Sequence, residues 1–193
     1  MRNVLKRVAL GVGLAMALPR LLWFGVCAPV LGRDRAFEGA MQGLARSPGL
    51  RGVLMRRGFL SVVLAACHPT VTVGYGVLMS KTGATLGENV YVGPGCSLGL
   101  VSLEQDVLLA DGVRIPSGGH THALADAAVP IREQGGTPTR VRVGRGTWIG
   151  SGAVIMADIG ANCVIGAGAV VTKPMPDNVV AVGVPAKVIR VRA

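Results

Sequence analysis

The stretch Val143–Lys173, VGRGTWIGSGAVIMADIGANCVIGAGAVVTK, decides the fold. It reads in sixes. Val143-Gly144, Ile149-Gly150, Ile159-Gly160 and Ile165-Gly166 each open a block with an aliphatic residue and a glycine. The fifth place is small or β-branched: Thr147, Ala153, Cys163, Ala169. A helix repeats its apolar face about every 3.6 residues and a strand every second residue, so this period belongs to neither. It predicts a short strand and a sharp turn, repeated, with the aliphatic residue in a narrow core and the small residue at the corner. Such repetition is the signature of a solenoid whose stacked coils share one core.

Upstream the same spacing continues. Val73, Met79, Leu86, Val92, Leu98, Leu103, Leu109 and Ile115 take the aliphatic place, and Val77, Val90, Cys96, Val107 and Val113 the fifth. The step lengthens between Met79 and Leu86 and shortens between Leu98 and Leu103 and between Ile155 and Ile159. With three hexads to a coil, the coils fall at 67–85, 86–102, 103–120, 143–158 and 159–176. From 116 to 142 the pattern breaks, with PSGGHTHALADAAVPIREQGGTPTR at its centre. A loop this long is usually functional, and it holds His120 and His122, two of the three histidines. After Lys173, Pro174, Pro176 and Asp177 turn the chain, and Val179 to Arg192 reads as a capping strand with a basic end.

Composition agrees with a slender core. Half of the 193 residues are hydrophobic but only 4% are aromatic, and there are 29 glycines, as repeated turns require. The net charge of +10 is uneven. Residues 1–66 carry ten Lys/Arg against two Asp/Glu, and residues 67–193 ten against eight. A segment both basic and apolar points to an anionic membrane surface. No aromatic-rich groove is present for stacking bases, so no nucleic-acid partner is expected. Cys27, Cys67, Cys96 and Cys163 match neither a zinc motif nor a disulfide framework. Cys96 and Cys163 read as small buried residues, compatible with a reducing cytoplasm.

Residues 1–66 read as a membrane-associating helical region. Val8 to Gly32 is long enough to cross a bilayer, but Pro19-Arg20 interrupts it and an arginine is costly in hydrocarbon. Basic residues flank both ends, so a re-entrant or interfacial hairpin on the cytoplasmic face of the inner membrane is expected rather than a span or a cleaved signal. A buried helix packed on the solenoid is the alternative. Asp34 is placed to cap an amphipathic helix with the stripe Phe37, Met41, Leu44. Ser47-Pro48 starts another, whose Arg51, Arg56 and Arg57 precede an apolar run read as a second membrane-facing element.

The string WIGSGAVIMADIGANCVIGAGAVVTKPMPDNVVAVGVPAKVIR resembles the hexapeptide-repeat acyltransferases. The resemblance implies an all-β solenoid, a left-handed parallel β-helix over residues 67–193, that transfers an acyl group, usually acetyl, from coenzyme A. PSGGHTHAL and AAVPIREQGG are similar to the subgroup found with capsule and exopolysaccharide assembly. On the resemblance, His120 is the general base at a subunit boundary, and His122 shares its face if the segment is extended. A neutral imidazole accepts a proton from a hydroxyl at neutral pH. Ser151, Ala167, Thr172, Lys173 and Arg190 match the coenzyme A positions, with the two cations for phosphate. Trp148 walls the groove or packs. The implied reaction is O-acetylation of a sugar or lipid-linked glycan from acetyl-CoA by a homotrimer, with no metal.

Plainer readings stand beside these. The histidines also read as ordinary loop residues, or as zinc ligands if a third imidazole such as His68 joins them. Lys173 and Arg190 read equally as solvated charges. Asp126 and Glu133 are the loop acids available to orient a base. A non-catalytic membrane scaffold, or a family member acting on serine or a small xenobiotic, is the alternative function.

Overall fold

A computed structural model describes residues 2–119 and 127–192. Three helices, α1 (Arg2–Leu31), α2 (Arg33–Ala45) and α3 (Gly49–Val63), precede a parallel solenoid of six coils. Strands are numbered along the chain. One wall (A) stacks β1 (Ala66–Cys67), β4 (Thr85–Leu86), β7 (Val101–Leu103) and β10 (Val141–Val143), and is continued by the bridges Val143–Ile159 and Ile159–Met175. The second wall (B) stacks β2 (Thr72–Val73), β5 (Tyr91–Val92), β8 (Leu108–Leu109), β11 (Trp148–Ile149), β13 (Val164–Ile165) and β15 (Val179–Val182). The third (C) stacks β3 (Leu78–Met79), β6 (Ser97–Leu98), β9 (Arg114–Ile115), β12 (Val154–Ile155) and β14 (Val170–Val171). The expected capping strand is a hairpin: β15 continues wall B, and β16 (Lys187–Val191) returns antiparallel beside it.

The period of six now has a structural cause. Most strands are two residues long, the first pointing out and the second in. The inward residues Val73, Val92, Leu109, Ile149 and Ile155 are buried, as are the fifth-place residues Val77, Cys96, Ala153, Cys163 and Ala169 at the corners. Each corner has its own chemistry. Between walls A and B the left-handed position holds Asn89, Asp106, Gly146, Asn162 and Asn178, and side chains bond from coil to coil between Asn89 and Asp106 and between Asn162 and Asn178. Asn and Asp tolerate this conformation better than other side chains. Between walls B and C the same position is glycine, as at Gly152 and Gly168. Every irregular step, and the long loop, falls at the C-to-A corner.

The helices close the lower end of the stack. α2 lies along the free edge of wall C: Asp34 near its start bonds Thr82 of the first coil, and Ala45 at its end accepts from the Gly76 N–H. α3 covers the edge of wall B. Arg56 Nε donates to the Val73 carbonyl at 2.9 Å and Arg57 Nε to the Val71 carbonyl at 2.7 Å. These side chains stand where a further strand would have supplied N–H donors, which removes an exposed edge.

Several expectations are corrected here. α1 is one continuous helix through Pro19 and Pro29, not a hairpin. It packs on α3 and α2. Gly13 and Gly58 bring α1 and α3 into backbone contact, with no room for a Cβ on either. Arg20 does not break the helix; its guanidinium lies over Gly43 of α2. Long basic side chains reach away from apolar surroundings in this way. Asp34 does not cap its own helix, and α3 starts at Gly49 with Pro48 rather than Ser47 as its cap residue. α3 turns Arg56, Phe59, Leu60 and Val63 inward, against the first coil, α1 and α2, so most of its apolar run is core, with Val62 left exposed. The stripe Phe37, Met41, Leu44 is buried as read. All three phenylalanines meet where the helices join: Phe24 is edge-on to Phe59, and Phe37 stacks on it.

Candidate active site

Wall C carries the candidate site. Its outward residues form a row fixed by strand register: Leu78, Ser97, Arg114, Val154, Val170. A groove of about 590 Å³ lies over the first four, bounded by Glu38 and Gln42 of α2 and by Lys81. Its other side is Pro116, Ser117 and Pro138, the two feet of the long loop.

The feet are tied together. The Thr139 N–H donates to the Ser117 carbonyl at 2.8 Å, and the Leu100 N–H donates to the Ser117 hydroxyl at 2.9 Å. Ser117 is one of few buried polar residues among those described, and these bonds satisfy it. A long excursion therefore leaves and rejoins the coil at one point on the groove's rim. His120 and His122 lie outside the described residues, as does Asp126. Glu133 is described, and its carboxylate sits by its neighbour Arg132 on an exposed turn. His68 is remote from the loop in the chain; its Nδ1 is 2.8 Å from the Thr70 hydroxyl, a local turn contact.

The expected coenzyme A residues divide into three places. Ser151 and Ala167 are successive rungs of the B-to-C corner, where the Gly168 N–H donates to the Ser151 carbonyl at 2.8 Å. A Cβ on Gly150 would stand 2.5 Å from the Ala167 nitrogen, so glycine is what lets these rungs stack. Thr172 and Lys173 lie at the far edge of wall C, beyond β14. Arg190 is on β16, paired with Val180 in wall B. All five are exposed. The structure thus joins Ser151 with Ala167 and Thr172 with Lys173, across one strand of wall C from each other, and sets Arg190 round the corner. Trp148 is half exposed and stands outward in a row with Tyr91 and Leu108, so it is not core.

The cysteines are free. Burial pushes the Cys67 thiol up to about 12, with Arg57 opposing, and the Cys96 thiol up to about 11. Neither is a thiolate nucleophile at neutral pH.

The groove's Glu38, Gln42 and Arg114 were not legible as site residues. Arg114 occupies an outward hexad place, where a charge reads as a solvated face. The α2 pair lies on the polar side of a helix whose apolar side alone carried a signal.

The bacterial transferase hexapeptide (six repeats) family model matches residues 140–173. The chain is 34% identical over 150 residues to galactoside O-acetyltransferase of Escherichia coli strain K12, covering 64% of this chain and 71% of that one. The chain belongs to the hexapeptide-repeat acyltransferase family. Its parallel solenoid is accordingly the left-handed β-helix of that family. A galactoside acetyltransferase solved in complex with coenzyme A superposes with a TM-score of 0.64 at 25% identity, over 85% of this chain and 84% of that one. A maltose O-acetyltransferase from Clostridium difficile 630 gives 0.63 at 27%, over 83% and 88%. The chain spans 31% to 57% of the length of other curated relatives it matches.

Proposed function

We propose that this hexapeptide-repeat protein is an acetyl-CoA-dependent O-acetyltransferase acting on a hydroxyl of a sugar or lipid-linked glycan. The observation that carries the reading is the groove on wall C, walled by the feet of the loop that holds His120 and His122. In the sequence His120 follows Ser117 by three residues. Two relatives that the chain resembles over most of their length, by their names, acetylate galactosides and maltose.

In the proposed reaction His120 Nε2 or Nδ1 takes the proton of the acceptor hydroxyl. The oxygen attacks the thioester carbonyl of acetyl-CoA and a tetrahedral oxyanion forms. The C–S bond then breaks, and the leaving thiolate recovers the proton from the imidazolium. A backbone N–H of a neighbouring coil is the donor proposed for the oxyanion. His122 is assigned to orientation. Ser151 and Ala167 leave the corner thin enough for a pantetheine arm, Thr172 adds a hydroxyl, and Lys173 and Arg190 supply cations for phosphates. A homotrimer with the site at its boundary is part of the same reading. The exposed row Tyr91, Leu108, Trp148 supports it as an apolar strip fit for burial.

The test is coenzyme A binding by calorimetry beside acetyl transfer from radiolabelled acetyl-CoA to a galactoside. Lys173→Ala and Arg190→Ala are each expected to weaken coenzyme A roughly tenfold, about 1.4 kcal/mol. Undiminished binding in both variants overturns the donor assignment.

A further inference from the structure

We propose that the acceptor of this enzyme is anionic, a saccharide bearing a carboxylate or a phosphate, and that Arg114 is the residue that selects it. The inference rests on the groove being the acceptor site, and it adds the chemical class of the acceptor.

Arg114 points outward from β9 in the middle of the row on wall C. Its register neighbours are Ser97 on one side and Val154 on the other, and the groove around it is lined by Leu78, Pro116 and Pro138. The guanidinium has no hydrogen bond and no ion pair among the described residues. That distinguishes it from Lys81, the other cation of the groove, whose Nζ is 3.1 Å from the Asp34 carboxylate. Nor does it pair with the groove's one carboxylate: Glu38 belongs to α2 below the first coil, whereas Arg114 is on the third.

The groove therefore offers one uncommitted cation set among apolar walls, beside the feet of the histidine loop. A guanidinium presents a planar fork that matches a carboxylate or phosphate with two parallel hydrogen bonds, which a neutral sugar does not supply. Ser117, which shares the rim, is already bonded to the Leu100 N–H. Gln42 and Glu38 are the groups left on α2 for hydroxyls. The arrangement separates roles along the groove: an anion seated at Arg114, and hydroxyls toward α2.

The experiment measures equilibrium binding of three sugars to the full-length protein at low salt, without acetyl-CoA: methyl galactoside, glucuronate and glucose 1-phosphate. Wild type is expected to bind at least one acidic sugar tenfold or more tightly than the neutral one. The carboxylate and phosphate arms say which anion is seated. Arg114→Gln is expected to level the three affinities and leave coenzyme A affinity unchanged. Equal binding of neutral and acidic sugars by wild type, no sugar binding at all, a preference that survives Arg114→Gln, or a loss of coenzyme A affinity in that variant each overturns the proposal. Because the readout is binding, it separates from the reaction assigned above. Selective binding without acetyl transfer keeps the anion site and removes the transferase reading, whereas transfer to sugars without any acidic preference does the reverse.

Discussion

Arg56 Nε donates to the carbonyl oxygen of Val73, 17 residues on, and its Nη1 reaches the carbonyls of Leu44 and Ser47 at 3.0 and 2.8 Å. One fully buried guanidinium thus joins the end of α2, the turn after it and the open edge of the first coil. Burial lowers the pKa of this arginine from its ordinary value, yet a guanidinium stays charged at any physiological pH.

Arg56→Ala takes the side-chain donor from three carbonyls, of which Leu44 keeps the Ser47 N–H while Val73 and Ser47 lose their Arg56 bonds. At the usual cost of an unsatisfied buried polar group, the loss is about 3 kcal/mol or more. Urea unfolding is expected to show a lower midpoint for this variant, with Arg56→Lys in between. A midpoint within about 0.5 kcal/mol of wild type, the range of an ordinary surface substitution, contradicts the joint.

Gly58→Leu drives a side chain into the backbone of α1 at Gly13. The expected result is release of α1 while the solenoid holds, seen as faster proteolysis between residues 10 and 31 and an unchanged β-sheet signal. Overpacking of this kind costs about 1–3 kcal/mol. Protection equal to wild type would mean the helices do not meet there.

Asp34 joins α2 to the first coil and gives the stack a pH dependence. Burial works to raise its pKa, but hydrogen bonds from the Thr82 N–H and hydroxyl and from Lys81, with the Lys81 charge, outweigh it, so the pKa falls below the ordinary 3.8. The unfolded chain then binds the proton more readily, and stability rises with pH through this window. The contribution is complete above the ordinary value and is lost as pH falls through the folded one. Asp34→Asn is expected to lower stability at neutral pH and to flatten the acid limb of the stability curve. An acid limb as steep as wild type refutes the assignment.

These joints show what sequence reading reaches. The coils were legible because each inward residue repeats, so Val73, Leu109 and Ile149 announce one another. Contacts between distant segments have no period. Arg56 looks like any basic residue before an apolar run, and only the unpaired edge of β2 explains its burial. The same holds for the groove, since Arg114 and Glu38 meet it from two elements. The family resemblance pointed to the loop histidines and to five positions for coenzyme A, without their geometry.

The outer face of α1 bears on membrane attachment. Ala9–Leu31 has a mean hydropathy of 1.7, and 11% of its 18-residue apolar window is buried. Leu22, Val26 and Val30 are 64%, 67% and 82% exposed on one side, with Trp23 beside them. A core helix would be covered, and an exposed apolar face of this size calls for a partner or lipid. Together with the basic excess of residues 1–66, it predicts that the protein floats with anionic vesicles and that Leu22→Glu with Val26→Glu abolishes flotation. Wild-type protein that stays soluble and ignores vesicles would leave this face to a protein partner.

The central claim is that the loop on the rim of wall C supplies the base for acetyl transfer. It is tested most directly by the single-turnover rate of label moving from acetyl-CoA to a sugar acceptor, in wild type, His120→Ala and His122→Ala. His120 lies outside the hexads, so the coils and coenzyme A binding should survive its loss. The account predicts transfer by wild type, a fall of roughly 10²–10⁴ in His120→Ala, and a much smaller one in His122→Ala. A His120→Ala enzyme that transfers acetyl at the wild-type rate would contradict it, as would a wild type that binds coenzyme A and sugar but never moves the label.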